Sequence, residues 1–303
     1  MHTPVRLGTR SSSLALAQTT LVQRLLKREA LVVPMTTAGD KILDIPLYGV
    51  GGKALFCKEI DQALLNGDID IAVHSLKDVP TELPVGLTIG AVLPRARSAD
   101  VLVSERSLNI DALPERAVIG TSSLRRQAQL LAKRPDCIIK SIRGNVPTRL
   151  EKLKKGDFDA IVLAMAGLER LNLTHHATQI FDAETMLPAA GQGVIAVVYA
   201  TARSDMATLL APLNDANTMA CIMAERAVLR TLGADCKTPV AAFAQIENAQ
   251  TLALRAFISL ADASQSYTAC ARGPMGEAIK IGAGVGQNLI IQAGAAFMKK
   301  VCG

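Results

Sequence analysis

A chain of 303 residues, half apolar and 20% charged, predicts about two domains with room for a third, and excludes a disordered, collagen-like or low-complexity chain. With no Trp, three Tyr and six Phe, its cores must be aliphatic, and single-strand nucleic-acid binding, which stacks bases on aromatic rings, is disfavoured. The net charge of +6 bears on partners only where the cations cluster.

The opening residues Met1–Arg6 hold no apolar stretch of signal-peptide length, so the expectation is a cytoplasmic chain with reduced thiols. Val5–Leu7 reads as a short buried strand. It runs into Gly8-Thr9-Arg10-Ser11-Ser12-Ser13, and Leu14, Ala17, Leu21 and Leu25 then recur at helical spacing. Hydroxyl residues ahead of such a stretch are N-cap signals, because their oxygens accept orphan backbone N–H groups. Further on, Gly67-Asp68-Ile69-Asp70 leads into the apolar run Ile71–Val73 and then Ser75-Leu76-Lys77-Asp78.

The same plan recurs. Ala117–Ile119 precedes Gly120-Thr121-Ser122-Ser123 and a second amphipathic stretch; Gly156-Asp157-Phe158-Asp159 precedes Ala160–Val162. Strand, loop, helix, then helix, turn, strand, twice over, is α/β alternation and implies mostly parallel sheets in two similar lobes. Pro188–Gly193 reads as a crossover between them. The last third changes character: a helix over Thr218–Leu232, a loop Gly233–Pro239, strands over Val240–Ile246 and Thr251–Ser259, and a final helix within Gly276–Lys300. That order suggests a small α+β third domain.

Ligands of open α/β sheets sit beyond the C-terminal strand ends, where the hydroxyl loops, Lys77-Asp78 and Arg143-Gly144-Asn145 fall. Between Gly120 and Leu150 stand Arg125, Arg126, Lys133, Arg134, Lys140, Arg143 and Arg149 against the single acid Asp136. Lys133 and Arg134 read as a solvated helix face. Arg125, Arg126, Arg143 and Arg149, beside Gly and hydroxyl residues in expected strand-end loops, suit bidentate grip on carboxylate or phosphate. Arg10, Lys53 and Lys77 would add to the same cleft if the first lobe mirrors the second. Asp78, alone among these bases, suits proton transfer or stabilisation of a transient cation; a surface pair with Lys77 and a turn residue before Pro80 are equal alternatives. Cys236 lies in a loop beside Lys237, but the residues alone favour an ordinary loop cysteine. The six cysteines are scattered with no Cys-x-x-Cys, and no histidine cluster has ligand spacing, so no metal is expected. No run of about 18 apolar residues is present, so no membrane span is expected.

These stretches together resemble porphobilinogen deaminases. The resemblance rests on Gly8–Gln18, Val50–Phe56, His74-Ser75-Leu76-Lys77-Asp78-Val79-Pro80, Gly120–Gln127, Ile142–Leu150, Leu187–Gly193 and Ala224-Glu225-Arg226-Ala227 ahead of Cys236. It implies an α/β fold of two periplasmic-binding-protein-like lobes, residues 1–93 with 194–213 and residues 98–188. A third small α+β domain, residues 216–303, would carry the cysteine. It implies a transferase that joins four porphobilinogen molecules, with loss of ammonia, into the linear tetrapyrrole hydroxymethylbilane. The product would grow on a dipyrromethane cofactor attached through a thioether to Cys236.

By the same resemblance Asp78 is catalytic. Lys77, Thr121, Ser123, Arg125, Arg126 and Asn145 hold the cofactor; Arg10, Ser12, Arg143, Arg149, Arg170 and Gln192 bind substrate. Porphobilinogen is the expected partner, with no nucleic acid, no membrane and a monomeric state. Where relatives carry Thr-Arg-Gly-Asp this chain has Thr37-Ala38-Gly39-Asp40, and Ala234-Asp235 stands where Gly-Gly commonly precedes the cysteine. Gly49–Gly52 is a candidate mobile loop. A solute-binding protein of the same architecture is the rival reading, which would leave Asp78 and Cys236 without roles.

Overall fold

The computed structural model describes residues 3–41, 56–106, 109–235, 237–248 and 250–302. Lys53, the Gly49–Gly52 loop and Cys236 lie outside the described residues.

The first half folds as β1 (Val5–Arg10), α1 (Ser13–Leu25), β2 (Ala30–Met35), the single turn α2 (Ala38–Lys41), α3 (Lys58–Asn66), β3 (Ile71–Ser75) and β4 (Leu87–Val92). The chain then crosses over to β5 (Asp100–Val103), β6 (Val118–Gly120), α4 (Leu124–Lys133), β7 (Ile138–Lys140), α5 (Val146–Lys154), β8 (Ala160–Ala164), α6 (Met165–Arg170) and β9 (Gln179–Ile180). It returns through β10 (Ile195–Ala200) and α7 (Ser204–Leu210). The two five-stranded sheets have one plan: β2-β1-β3-β10-β4 and β7-β6-β8-β5-β9. In each, the second strand of the order (β1 or β6) lies parallel to its two neighbours (Leu7 opposite Ile71; Ile119 opposite Ala160). The fourth position is filled by the strand that follows the crossover, and it runs antiparallel (Val197 opposite Val73; Leu102 opposite Val162). Each sheet is therefore mostly parallel, as the alternation suggests: four of its five strands point one way and only the inserted strand runs against them. An apolar run such as Ile195–Ala200 does not say which sheet it will join.

The repeat is carried in hydrogen bonds. Asp70 Oδ2 accepts from Arg6 N at 2.8 Å and Asp70 N donates to Arg6 O at 2.9 Å. Asp159 Oδ2 accepts from Val118 N at 2.7 Å and Asp159 N donates to Val118 O at 2.9 Å. Each Asp thus binds, from the turn before β3 or β8, the strand parallel to it, β1 or β6. Gly67 and Gly156, at φ 76° and 84°, make the left-handed turn that a side chain would strain.

Helices cover both faces of both sheets, so inner strands such as β8 (Ala-Ile-Val-Leu-Ala) and β10 (Ile-Ala-Val-Val-Tyr-Ala) are continuous apolar runs. Val22, Ile71, Val73 and Leu210 pack on one face of the first sheet, and Ile60, Leu64, Ala72 and Val198 on the other. Leu130, Ile119 and Val162 pack on one face of the second, and Leu153, Ile161 and Leu168 on the other. The cores are aliphatic as composition demands; Phe181 is the one aromatic among the largest fully buried side chains.

The third domain comprises α8 (Ala216–Leu232), the antiparallel sheet β11 (Val240–Asn248), β12 (Thr251–Ser259), β13 (Ser266–Pro274), and α9 (Ala278–Cys302). Strand β13 and the reach of α9 to Cys302 exceed what the sequence announces, because Ser266–Pro274 alternates small and polar residues. Helices α8 and α9 pack closely because Gly282 faces the chain at Ala224 and Ala227, where a Cβ would collide with the Ala224 carbonyl. Glu225, fully buried, fastens the domain to both crossovers: it accepts from Arg95 at 2.8 Å, Gly191 N at 2.7 Å and Ala244 N at 2.8 Å. Gln127 on α4 donates to Ala261 O at 3.1 Å, so the domain also touches the second lobe.

Candidate active site

Helices α1, α4 and α5 each follow a strand end and begin with a side-chain cap. Ser12 accepts from Ala15 N at 3.4 Å, Ser123 from Arg126 N at 3.4 Å and Asn145 from Thr148 N at 2.9 Å. Their first-turn N–H groups favour anions. These caps begin the helices earlier than the sequence suggests. Arg125, Arg126 and Arg149 therefore stand in first helical turns, not in loops; Arg143 remains in a loop.

Arg125 and Arg126 are 4% and 6% exposed, and their forks converge on Asp100, which is fully buried. Arg125 reaches Asp100 Oδ2 at 2.7 Å and Leu187 O at 2.7 Å. Arg126 reaches Asp100 Oδ1 at 2.6 Å and Val162 O at 2.8 Å. Burial alone would raise the Asp100 carboxyl, but the two guanidiniums outweigh it and hold it well below the usual carboxylate range. Gln192 donates to Asp100 Oδ1 at 2.9 Å and accepts from Lys77 Nζ at 3.4 Å. One carboxylate thus links two arginines of the second lobe to the lysine of the first. Sequence reasoning missed Asp100, although an acid opening the apolar run Val101–Val103 needs a cation to be buried there.

Lys77 and Asp78 lie on the single 3-10 turn Leu76–Asp78 at the end of β3. Lys77 reaches solvent, yet it is set so deep among protein atoms that burial, reinforced by Arg126, lowers it to about 8. Arg149 has the same character: burial, then Arg126 and Arg143, lower it to about 10, while Asp78 opposes the shift. Its Nε donates to Gly144 O at 2.8 Å.

Arg143, 9% exposed, reaches across the lobes to Gly39 O at 3.3 Å. Arg10 pairs with Asp40 and stacks 4.2 Å from the Phe56 ring centre. Thr121 is buried, its Oγ1 accepting from Ser123 N at 3.2 Å. Arg170 donates to Gly193 O at 2.7 Å in the returning crossover. Arg134 is not the solvated residue expected; it ties Ile110 O at 2.7 Å and Asp136.

The arrangement leaves one distinction among the acids. Asp100 and Asp40 are committed to arginines, whereas the exposed Asp78 carboxylate accepts no hydrogen bond from any described residue. These cations can bind a molecule bearing several carboxylates and present it to one unpaired carboxylate. Among the described residues no group of His, Cys, Asp and Glu could hold a metal ion, and no helix is long and apolar enough to cross a membrane.

Two family models match in sequence: "Porphobilinogen deaminase, dipyromethane cofactor binding domain" over residues 5–208, and "Porphobilinogen deaminase, C-terminal domain" over residues 219–290. Solved structures also match at low identity. An ABC transporter periplasmic substrate-binding protein from Coxiella burnetii is 13% identical, with 69% of this chain and 91% of that chain covered and a TM-score of 0.43. A nutrient binding protein from Burkholderia cenocepacia bound to methionine is 14% identical over 68% and 89%, TM-score 0.43. The periplasmic VFT2 domain of BvgS from Bordetella pertussis is 12% identical over 68% and 85%, TM-score 0.41.

Proposed function

The chain belongs to the porphobilinogen deaminase family, transferases of tetrapyrrole biosynthesis with a dipyrromethane cofactor; from that premise we propose that it condenses four porphobilinogen molecules, releasing ammonia, into hydroxymethylbilane. The cofactor is joined to Cys236 by a thioether. The observation that carries this reading is Asp78, exposed and unpaired among cations, while the neighbouring acids Asp40 and Asp100 are neutralised by arginine.

The residues present fit the cofactor. A dipyrromethane carries several carboxylates, and the cleft holds positive charge in excess: Lys77 and Arg149 are both depressed by burial and by neighbouring arginines. Bound carboxylates would relieve that strain. Lys77, Thr121, Ser123, Arg125, Arg126 and Asn145 hold the cofactor, Arg125 and Arg126 chiefly by the field they add, since Asp100 occupies their forks. When bound, the cofactor supplies the nucleophilic pyrrole position on which the product lengthens.

Arg10, Ser12, Arg143, Arg149, Arg170 and Gln192 orient the acetate and propionate of incoming porphobilinogen. The Asp78 carboxylate stabilises the positive charge left on that pyrrole as ammonia departs, and takes the ring-carbon proton released once the new carbon–carbon bond has formed. Arginine cannot take the proton, since it stays protonated.

Intact mass spectrometry tests the assignment. The protein is expected to carry the added mass of two linked pyrroles, and Cys236→Ser to lack it. An unmodified mass that porphobilinogen does not change would overturn the reading.

A further inference from the structure

Asp78 needs to be held, and its own turn is too short to do it. Leu76–Asp78 is one 3-10 turn closed by a single backbone bond, Val79 N to Leu76 O at 3.0 Å. Pro80 follows without an N–H to donate. Helix α8 of the third domain makes up the deficit. Ile222 and Met219 pack beneath Leu76 and Val79 in one apolar cluster. One turn on, on the same face, the Arg226 guanidinium donates to Val79 O at 3.3 Å, Pro80 O at 2.5 Å and Thr81 O at 2.7 Å. The Cys57 thiol donates to Asp78 O at 3.5 Å. Four consecutive carbonyls, 78 to 81, are thus engaged, three of them by one side chain.

Arg226 has no acid partner for its fork among the described residues. Its charge is spent on backbone dipoles, and burial, with Arg230 next, lowers it to about 10. A cation desolvated for the sake of three carbonyls makes poor sense as surface charge. The same helix continues to its Gly233 cap and then to Ala234-Asp235, the residues before Cys236. One rigid rod therefore fixes both the turn bearing Asp78 and the approach to the cysteine.

We propose that Arg226 is a positioning residue: its fork, laid across the Val79, Pro80 and Thr81 carbonyls, sets the Asp78 carboxylate in register with the segment leading to Cys236. The proposal rests on the reading of Asp78 given above. Displacing a reacting group by about 1 Å from a distance costs on the order of a hundred-fold in rate, without loss of the contacts that bind substrate.

The test uses the full-length protein with Arg226→Met, which removes the fork, and Arg226→Lys, which keeps the stem and charge but cannot span three carbonyls. Both are expected to retain the Cys236 adduct by mass and a KM for porphobilinogen within about two-fold. Turnover should fall about ten- to a hundred-fold in the Met variant and less in the Lys variant. Amide exchange should quicken in the peptide over residues 76–83 and not along α8. Unchanged kcat with unchanged exchange in that peptide would overturn the proposal, as would loss of turnover accompanied by loss of the adduct or a raised KM. Asp78→Asn, measured beside them, separates the two claims. If it retains turnover, the reading of Asp78 fails; if it is inactive while Arg226→Met is not, only the role of Arg226 fails.

Discussion

Lys77 holds its proton loosely. Burial among protein atoms and the nearby Arg126 bring it to about 8, so it is charged near neutrality and loses charge as pH rises further. A bound carboxylate favours the charged form, so binding above that pH must also take up a proton. The KM for porphobilinogen is therefore expected to rise above about pH 8, and the rise to vanish in Lys77→Arg. Identical KM profiles for the two proteins would remove Lys77 from the anion site. Asp61 shows the opposite case. It is 4% exposed, neither carboxylate oxygen has a hydrogen-bond partner among the described residues, and burial raises it to about 6. The folded protein then binds this proton more tightly than the unfolded chain, so the group costs stability as pH rises from about 4 to about 6 and stays costly above. Asp61→Asn is expected to raise Tm at pH 8 more than at pH 5; an equal change at both would refute this. Residue chemistry was legible where it was local. Asp78 stood out as a lone acid among bases, but the partner that occupies Arg125 and Arg126 lies about 25 positions earlier and nothing local announces it.

At the scale of elements the doubled plan was readable because the same short signals recur: a hydroxyl cap opening a helix, and Gly-Asp-x-Asp closing another before a buried strand. Asp70 and Asp159 turn out to be working parts of that signal. Each takes an N–H near the start of the strand that its own sheet's third strand pairs with in parallel, Arg6 N in β1 and Val118 N in β6. Asp159→Ala would leave Val118 N without its acceptor and is expected to cost about 1–3 kcal/mol, read as a lower denaturant midpoint with an unchanged slope. No shift in midpoint would show the bond to be idle. The lobe that β5 and β10 each join came from the resemblance alone, since membership depends on where the chain emerges after a crossover and not on any property of the strand; their antiparallel insertion was not read. Nor was β13, whose outward residues are mostly polar and whose inward ones, Tyr267 apart, are small.

Taken whole, the molecule sets two alike lobes face to face and then breaks their likeness. The turn after β3 bears Lys77-Asp78; the corresponding place after β8 is Ala166-Gly167 in α6. Cations come from both sides, the unpaired carboxylate from one. The third domain completes the asymmetry by gripping the Asp78 side through Arg226 and both crossovers through Glu225. The central claim is that this carboxylate performs the coupling while the cations only hold. Its most direct measurement is the mass of the Cys236-containing peptide, quenched at intervals after mixing the loaded protein with porphobilinogen. The wild type should show a ladder of successive pyrrole additions; Asp78→Asn should keep the two-ring adduct and bind porphobilinogen without climbing. A ladder built by Asp78→Asn at the wild-type rate would contradict the account.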